Sequence, residues 1–113
     1  MKIAIIGSRN VTATNIEEYV EQADEIVSGG AKGVDTCAAN YAKEHGIKLT
    51  EILPDYERYG RAAPIVRNRE IVDYADEIVA FWDGKSKGTR STIDYAKKAN
   101  KKCLVILCDQ PSP

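Results

Sequence analysis

The stretch that decides the fold is Glu77-Ile78-Val79-Ala80-Phe81-Trp82-Asp83-Gly84-Lys85-Ser86-Lys87-Gly88-Thr89-Arg90-Ser91-Thr92. Its first six residues are a short, nearly unbroken run of apolar and β-favouring side chains, the pattern of a strand covered on both faces. A loop of glycine, lysine and serine follows. It leads into Ile93, Ala96 and Ala99, whose spacing marks one face of a helix. That helix ends in a basic turn, Asn100-Lys101-Lys102, which suits the negative end of its dipole.

Working outward, the same unit recurs. Strand-like runs occupy residues 2–6, 25–28, 48–53, 77–82 and 103–107, and the first, fourth and fifth are apolar enough to be covered on both faces. The third is less uniform and is expected nearer an edge. Ile16, Tyr19, Val20 and Ala23 follow helical spacing after a cap at Thr14 or Asn15, as do Val34, Cys37, Ala38, Tyr41 and Ala42 before the stop His45-Gly46. Pro64 starts another helix, with Ile65, Arg69, Val72 and Ala75 on one face. Residues 54–63 are expected to be irregular. Strict alternation of strands and helices predicts an α/β fold, a Rossmann-like three-layer sandwich around a five-stranded parallel sheet. Right-handed crossovers make 3-2-1-4-5 its simplest order.

A length of 113 residues is read as a single domain spanning residues 1–113. With 43% hydrophobic and 29% charged residues, the composition is that of a soluble globular protein rather than a disordered one, except at residues 111–113. No run approaches the roughly 18 apolar residues of a membrane span, and residues 1–6 lack the features of a signal peptide. A cytoplasmic protein is expected. The net charge of −1 argues against a nucleic-acid surface. The three cysteines, Cys37, Cys103 and Cys108, have no metal-ligand or CxxC spacing and read as reduced, packed thiols.

In sheets of this kind ligands bind beyond the carboxyl ends of the strands, where the strand order reverses. The glycines and small polar residues gather there. After the first strand, Gly7 lets a ligand approach the backbone, Ser8 offers a hydroxyl, and Arg9 can fork onto phosphate or carboxylate. After the second, Ser28-Gly29-Gly30-Ala31-Lys32-Gly33-Val34-Asp35 opens a helix, and its successive N–H groups form an anion cradle. Asp35 either complements the helix dipole or accepts from a ribose hydroxyl. After the fourth strand, Asp83, Gly84, Ser86, Gly88 and Thr89 form a second cradle. Gly84-Lys85-Ser86 is not a P-loop, because that motif needs a glycine at Val79, and no GxGxxG follows the first strand. Arg67 with Asn68 can aim at phosphate, steadied by Glu70, or Arg67 and Glu70 can form a plain ion pair. His45 reads as a helix-end residue, and no catalytic triad or metal-ligand cluster can be built. No cofactor is expected beyond a nucleotide-type ligand.

In this order, Gly7-Ser8-Arg9, Ser28 to Asp35, Arg67-Asn68 and Asp83 to Thr89 resemble the SLOG superfamily of Rossmann-like proteins, and most closely its small YspA-related branch. The superfamily includes the "lonely guy" phosphoribohydrolases and the DNA-processing protein of bacterial transformation. The resemblance implies a nucleotide pocket built from these loops, in a homo-oligomer. The phosphoribohydrolases carry a PGGxGTxxE loop, and here Thr92 stands where their glutamate would be. Three functions follow from this reading. The first is a nucleotide-binding module, acting as a sensor. The second is a nucleoside-monophosphate N-glycosidase or nucleotide hydrolase, with Asp35, Glu70 or Asp83 supplying the carboxylate. The third, DNA binding, is disfavoured by the acid-balanced charge.

Overall fold

The computed structural model describes residues 1–7, 11, 16–29 and 34–108, the side chain of Asp35 excepted. In chain order the elements are β1 (Lys2–Gly7), α1 (Glu17–Val20), β2 (Glu25–Ser28), α2 (Val34–His45), β3 (Lys48–Glu51), α3 (Tyr56–Tyr59), α4 (Ala63–Tyr74), β4 (Glu77–Trp82), α5 (Lys87–Lys98) and β5 (Lys102–Leu107). The five strands form one sheet in the order β3-β2-β1-β4-β5, parallel throughout. This is the expected 3-2-1-4-5 arrangement. The direction of strand addition reverses between β3 and β4. Right-handed crossovers therefore put α1 and α2 on one face and α4 and α5 on the other.

Each face has its own core. Ile3, Ile5, Ile26, Val79 and Phe81 meet Val20 and Ala23 near α1 and Val34, Ala38 and Ala42 of α2. Ala4, Val27, Ile78 and Ala80 meet Ile71 and Val72 of α4 and Ile93 and Ala96 of α5. Residues one apart along β1 and β4 thus serve opposite cores, as the two-residue period of a strand requires.

The structure corrects four expectations. β5 is not covered on both faces. It is an edge strand with β4 as its one strand neighbour: Leu104 and Leu107 are 43% and 71% exposed, Cys103 and Val105 are only partly buried against the α4–α5 core, and Ile106 only partly against the other. Residues 54–63 are not irregular. Asp55 caps α3 by accepting the Arg58 N–H at 3.1 Å, and a 3-10 turn at Gly60–Ala62 leads into α4. The inward row of α4 is Ala63, Ile71 and Ala75 with Val72, while Ile65 and Arg69 face solvent. Finally, β3 ends at Glu51, two residues short of the expected run, and the Ile52 N–H donated to the Ser28 carbonyl at 2.9 Å is the last bond of its ladder with β2.

The amino ends of the strands are closed by a dense polar network. Glu25, 8% exposed at the start of β2, accepts hydrogen bonds from Thr50 Oγ1 at 2.7 Å and Tyr74 Oη at 2.5 Å, and pairs with Lys48 at 3.6 Å. The Thr50 and Tyr74 bonds hold its carboxyl below the ordinary value of 4.5. Asp76 accepts the Lys2 N–H at 2.8 Å and donates its own N–H to the Lys2 carbonyl at 2.8 Å. The Lys101 ammonium donates to the carbonyls of Ala75 and Asp73 at the end of α4, where the helix dipole favours a cation.

Candidate functional site

Gly7, the last residue of β1, lies opposite Phe81 of β4, so the carboxyl ends of these two strands are adjacent. A Cβ on Gly7 would stand 2.5 Å from Val34 Cγ2 and 2.8 Å from Val34 Cβ. The missing side chain lets the first residue of α2 rest directly on the strand. This brings the positive end of a twelve-residue helix to the sheet's carboxyl edge. The glycine expected to admit a ligand thus admits a helix N-terminus first.

At the end of β2, Ser28 is fully buried, and its Oγ has no hydrogen-bond partner among the described residues. By strand alternation from Ile26 it faces the α1–α2 side. The next residue, Gly29, faces the other way and meets Arg67. The Arg67 Nη1 donates to the Gly29 carbonyl at 2.9 Å, and its Nε donates to Asn68 Oδ1 at 2.8 Å. A Cβ on Gly29 would lie 2.4 Å from Nη1, inside the space the guanidinium occupies. Arg67 reaches this place because it shares the inward row of α4 with Ala63 and Ile71. α4 runs antiparallel to β2, so Tyr74, about 10 Å further along the helix axis, reaches Glu25 at the strand's opposite end.

Beyond β4 the chain turns sharply. Asp83 Oδ1 accepts the N–H groups of Lys85 at 2.9 Å and Ser86 at 2.7 Å, a side chain standing in for a backbone turn. Gly84 has φ +79°, a conformation that side chains disfavour. Ser86 caps α5, and its Oγ faces the Thr89 N–H at a long 3.5 Å, while its carbonyl accepts from Trp82 Nε1 at 3.0 Å. Thr89 is buried. Gly88 is exposed, and a Cβ there would meet nothing within 4 Å. The first N–H groups of α5 have no carbonyl to serve within the helix. Thr92 is buried, and its hydroxyl donates to the Gly88 carbonyl at 2.9 Å.

The expected site residues therefore divide. Gly7, Ser28, Gly29, Arg67 and Asn68 assemble around the ends of β1 and β2, and Asp83, Gly84, Ser86, Gly88 and Thr89 form the turn from β4 into α5. Glu70 does not join them: it is exposed, and Arg67 bonds to Asn68 and Gly29 instead. Ser8, Arg9, Gly30 and Gly33, and the side chain of Asp35, lie outside the described residues. His45 stacks on Tyr41, with ring centres 4.1 Å apart, at the end of α2. Cys37, Cys103 and Cys108 form no disulfide among the described residues, and burial pushes the Cys103 thiol up. The Arg67 to Gly29 contact escaped the sequence reading, which paired Arg67 with Glu70. The i, i+4 row from Ala63 through Arg67 to Ile71 was the available signal.

No helix among the described residues is long and apolar enough to cross a membrane. The sequence profile of the YspA, cpYpsA-related SLOG family matches residues 1–59, which carry β1, β2, α2 and β3. An uncharacterised SPbeta prophage-derived protein of Bacillus subtilis (strain 168), YoqJ, is 33% identical over 97 residues. That match covers 80% of this chain and 53% of YoqJ, so the chain spans about half the length of that relative. The sheet order, the glycine turns at its carboxyl edge and the profile match agree, and the chain belongs to the YspA, cpYpsA-related SLOG family.

Proposed function

We propose that the chain binds a nucleotide or nucleotide-derived, phosphate-bearing ligand at the carboxyl ends of β1, β2 and β4. The observation that carries this reading is the Ser28–Gly29–Arg67 cluster. A buried hydroxyl without a partner costs about 1–3 kcal/mol, which a ligand acceptor or donor would offset. On the other face of the same strand end, two hydrogen bonds pin a half-buried guanidinium through Nε and Nη1. Its Nη2 makes no hydrogen bond among the described residues and can fork with Nη1 toward an anion. The starts of α2 and α5 add two helix dipoles of the same sign. Membership of the SLOG family supports the same class of ligand.

Thermal-shift and calorimetric titration with AMP and ADP-ribose test the proposal. At a hundredfold excess over Kd, a rise in Tm of roughly 5–15 °C is expected. Arg67→Ala is expected to weaken binding at least tenfold. Absence of stabilisation by either compound, with Arg67→Ala indistinguishable from the parent protein, would overturn the reading.

A further inference from the structure

An open cavity of about 330 Å³ lies on the outer surface of the α4–α5 layer and reaches Lys87 at the start of α5. Lys87, Arg90, Asp94, Tyr95 and Lys98 of α5 line it, together with Arg69 of α4. The α5 residues follow three- and four-residue steps and lie opposite the buried row Thr89, Thr92, Ile93 and Ala96. Four cations surround the space against a single carboxylate, Asp94, an excess of three positive charges in a chain whose net charge is −1.

Elsewhere the described cations that form ion pairs sit at the amino ends of the strands: Lys48 with Glu25, Lys102 with Glu77, and the amino terminus with Asp24. None of the charges around the cavity makes an ion pair among the described residues. Their concentration is unfavourable without a counter-charge, and concave walls focus the field. One wall is also fixed in place. The Arg69 guanidinium lies 5.4 Å from the centre of the Tyr95 ring, and the Tyr95 hydroxyl donates to Asp73 at 2.9 Å. Arg69 therefore presents its charge from a braced position, and less side-chain freedom is lost on binding.

We propose that this cavity is a second ligand site, which takes a small molecule carrying two or more phosphate groups. Its volume is at the lower end of the range for small-molecule pockets, about 300–1,000 Å³. One phosphate monoester brings about −1.5 to −2 charges, so a single phosphate leaves part of the excess unmatched and two balance it. The site is independent of the carboxyl-edge site: it uses neither Arg67 nor Ser28, and its cations point away from the sheet.

Calorimetric titration of the full chain with sodium tripolyphosphate at low ionic strength tests the proposal. One tripolyphosphate is expected to bind per chain. The double variant Arg69→Ala/Arg90→Ala should lower the affinity at least tenfold, while Arg67→Ala changes it less than twofold. Both replaced arginines are exposed, so circular dichroism and Tm should stay at the parent values. Tyr95→Phe keeps the ring but drops the bond to Asp73, and is expected to weaken binding by a smaller factor than the double variant. Three results overturn the site: no binding up to about 1 mM, parent affinity in the double variant, or loss on Arg67→Ala instead. Preference for a single-stranded oligonucleotide over tripolyphosphate, abolished by the same double variant, would overturn the small-molecule class.

Discussion

At the amino ends of the strands, polar groups are matched to one another: Glu25 with Thr50, Tyr74 and Lys48, Asp76 with the Lys2 N–H, and Lys101 with the last carbonyls of α4. At the carboxyl ends the pattern reverses. Gly7 and Gly29 replace side chains with space, Asp83 spends a carboxylate oxygen on a turn, and Ser28 keeps a buried hydroxyl without a partner among the described residues. Among the described residues, the same sheet thus has one end whose polar groups match one another and one end that keeps a buried hydroxyl unmatched, which the proposed ligand would satisfy. That asymmetry separates stability from binding along the strand axis. Substitutions at the first end should alter folding alone, and those at the second should alter ligand affinity.

The sharpest test of this division is Glu25→Ala, which leaves the Thr50 and Tyr74 hydroxyls without their acceptor. Loss of about 3 kcal/mol is expected by urea denaturation at neutral pH, with nucleotide affinity unchanged. A variant that lost affinity at full stability would break the comparison. The pH dependence has a definite sign. Because the Glu25 carboxyl is held low, its contribution is present above the ordinary value of 4.5 and is lost as pH falls below that value through the lowered one. The stability difference between the parent and Glu25→Gln should therefore shrink as pH drops below about 4.5.

Gly7→Ala comes next. Its Cβ would press on the branched Val34 side chain at 2.5 Å, and overpacking of this kind costs about 1–3 kcal/mol. Combination with Val34→Ala should destabilise less than the two single effects added together, a coupling that denaturation of all four proteins measures. Strict additivity would show that the helix does not rest on the glycine.

The smallest expected effect has the opposite sign. Ser28→Ala removes a buried hydroxyl that no described group satisfies, and is expected to raise stability by about 1 kcal/mol while weakening nucleotide binding. Loss of stability would instead mean that the hydroxyl already has a partner inside the protein.

Much of the fold was legible in the chain. The apolar runs of β1 and β4 and the helical spacing of α2 are local patterns, and their alternation left few topologies open. The exposure of Leu104 and Leu107 on β5 was not legible, because an apolar run reads the same whether a neighbouring layer covers it or not. The capped turns at residues 54–63 were hidden for a related reason: Tyr56 and Leu53 are exposed, so no apolar row announced a helix. At the site, Gly7 and Gly29 were identified from loop position and Arg67 from the helix before β4, but the reasons for the two glycines were not. Gly7 makes room for Val34, and Gly29 makes room for Arg67 from a helix thirty-eight positions later.

By itself the sequence determined the parallel α/β class, the strand order and the clustering of glycines after β1, β2 and β4. These follow from periodicity, chain connectivity and the handedness of crossovers, which act locally or through topology. The tertiary structure alone decided which face of α4 turns inward, and hence that Arg67 meets Gly29 while Arg69 joins Arg90 around an outer cavity. Two residues on one helix differ by about 200° in direction. Which of them meets the sheet depends on how the whole helix settles on its core.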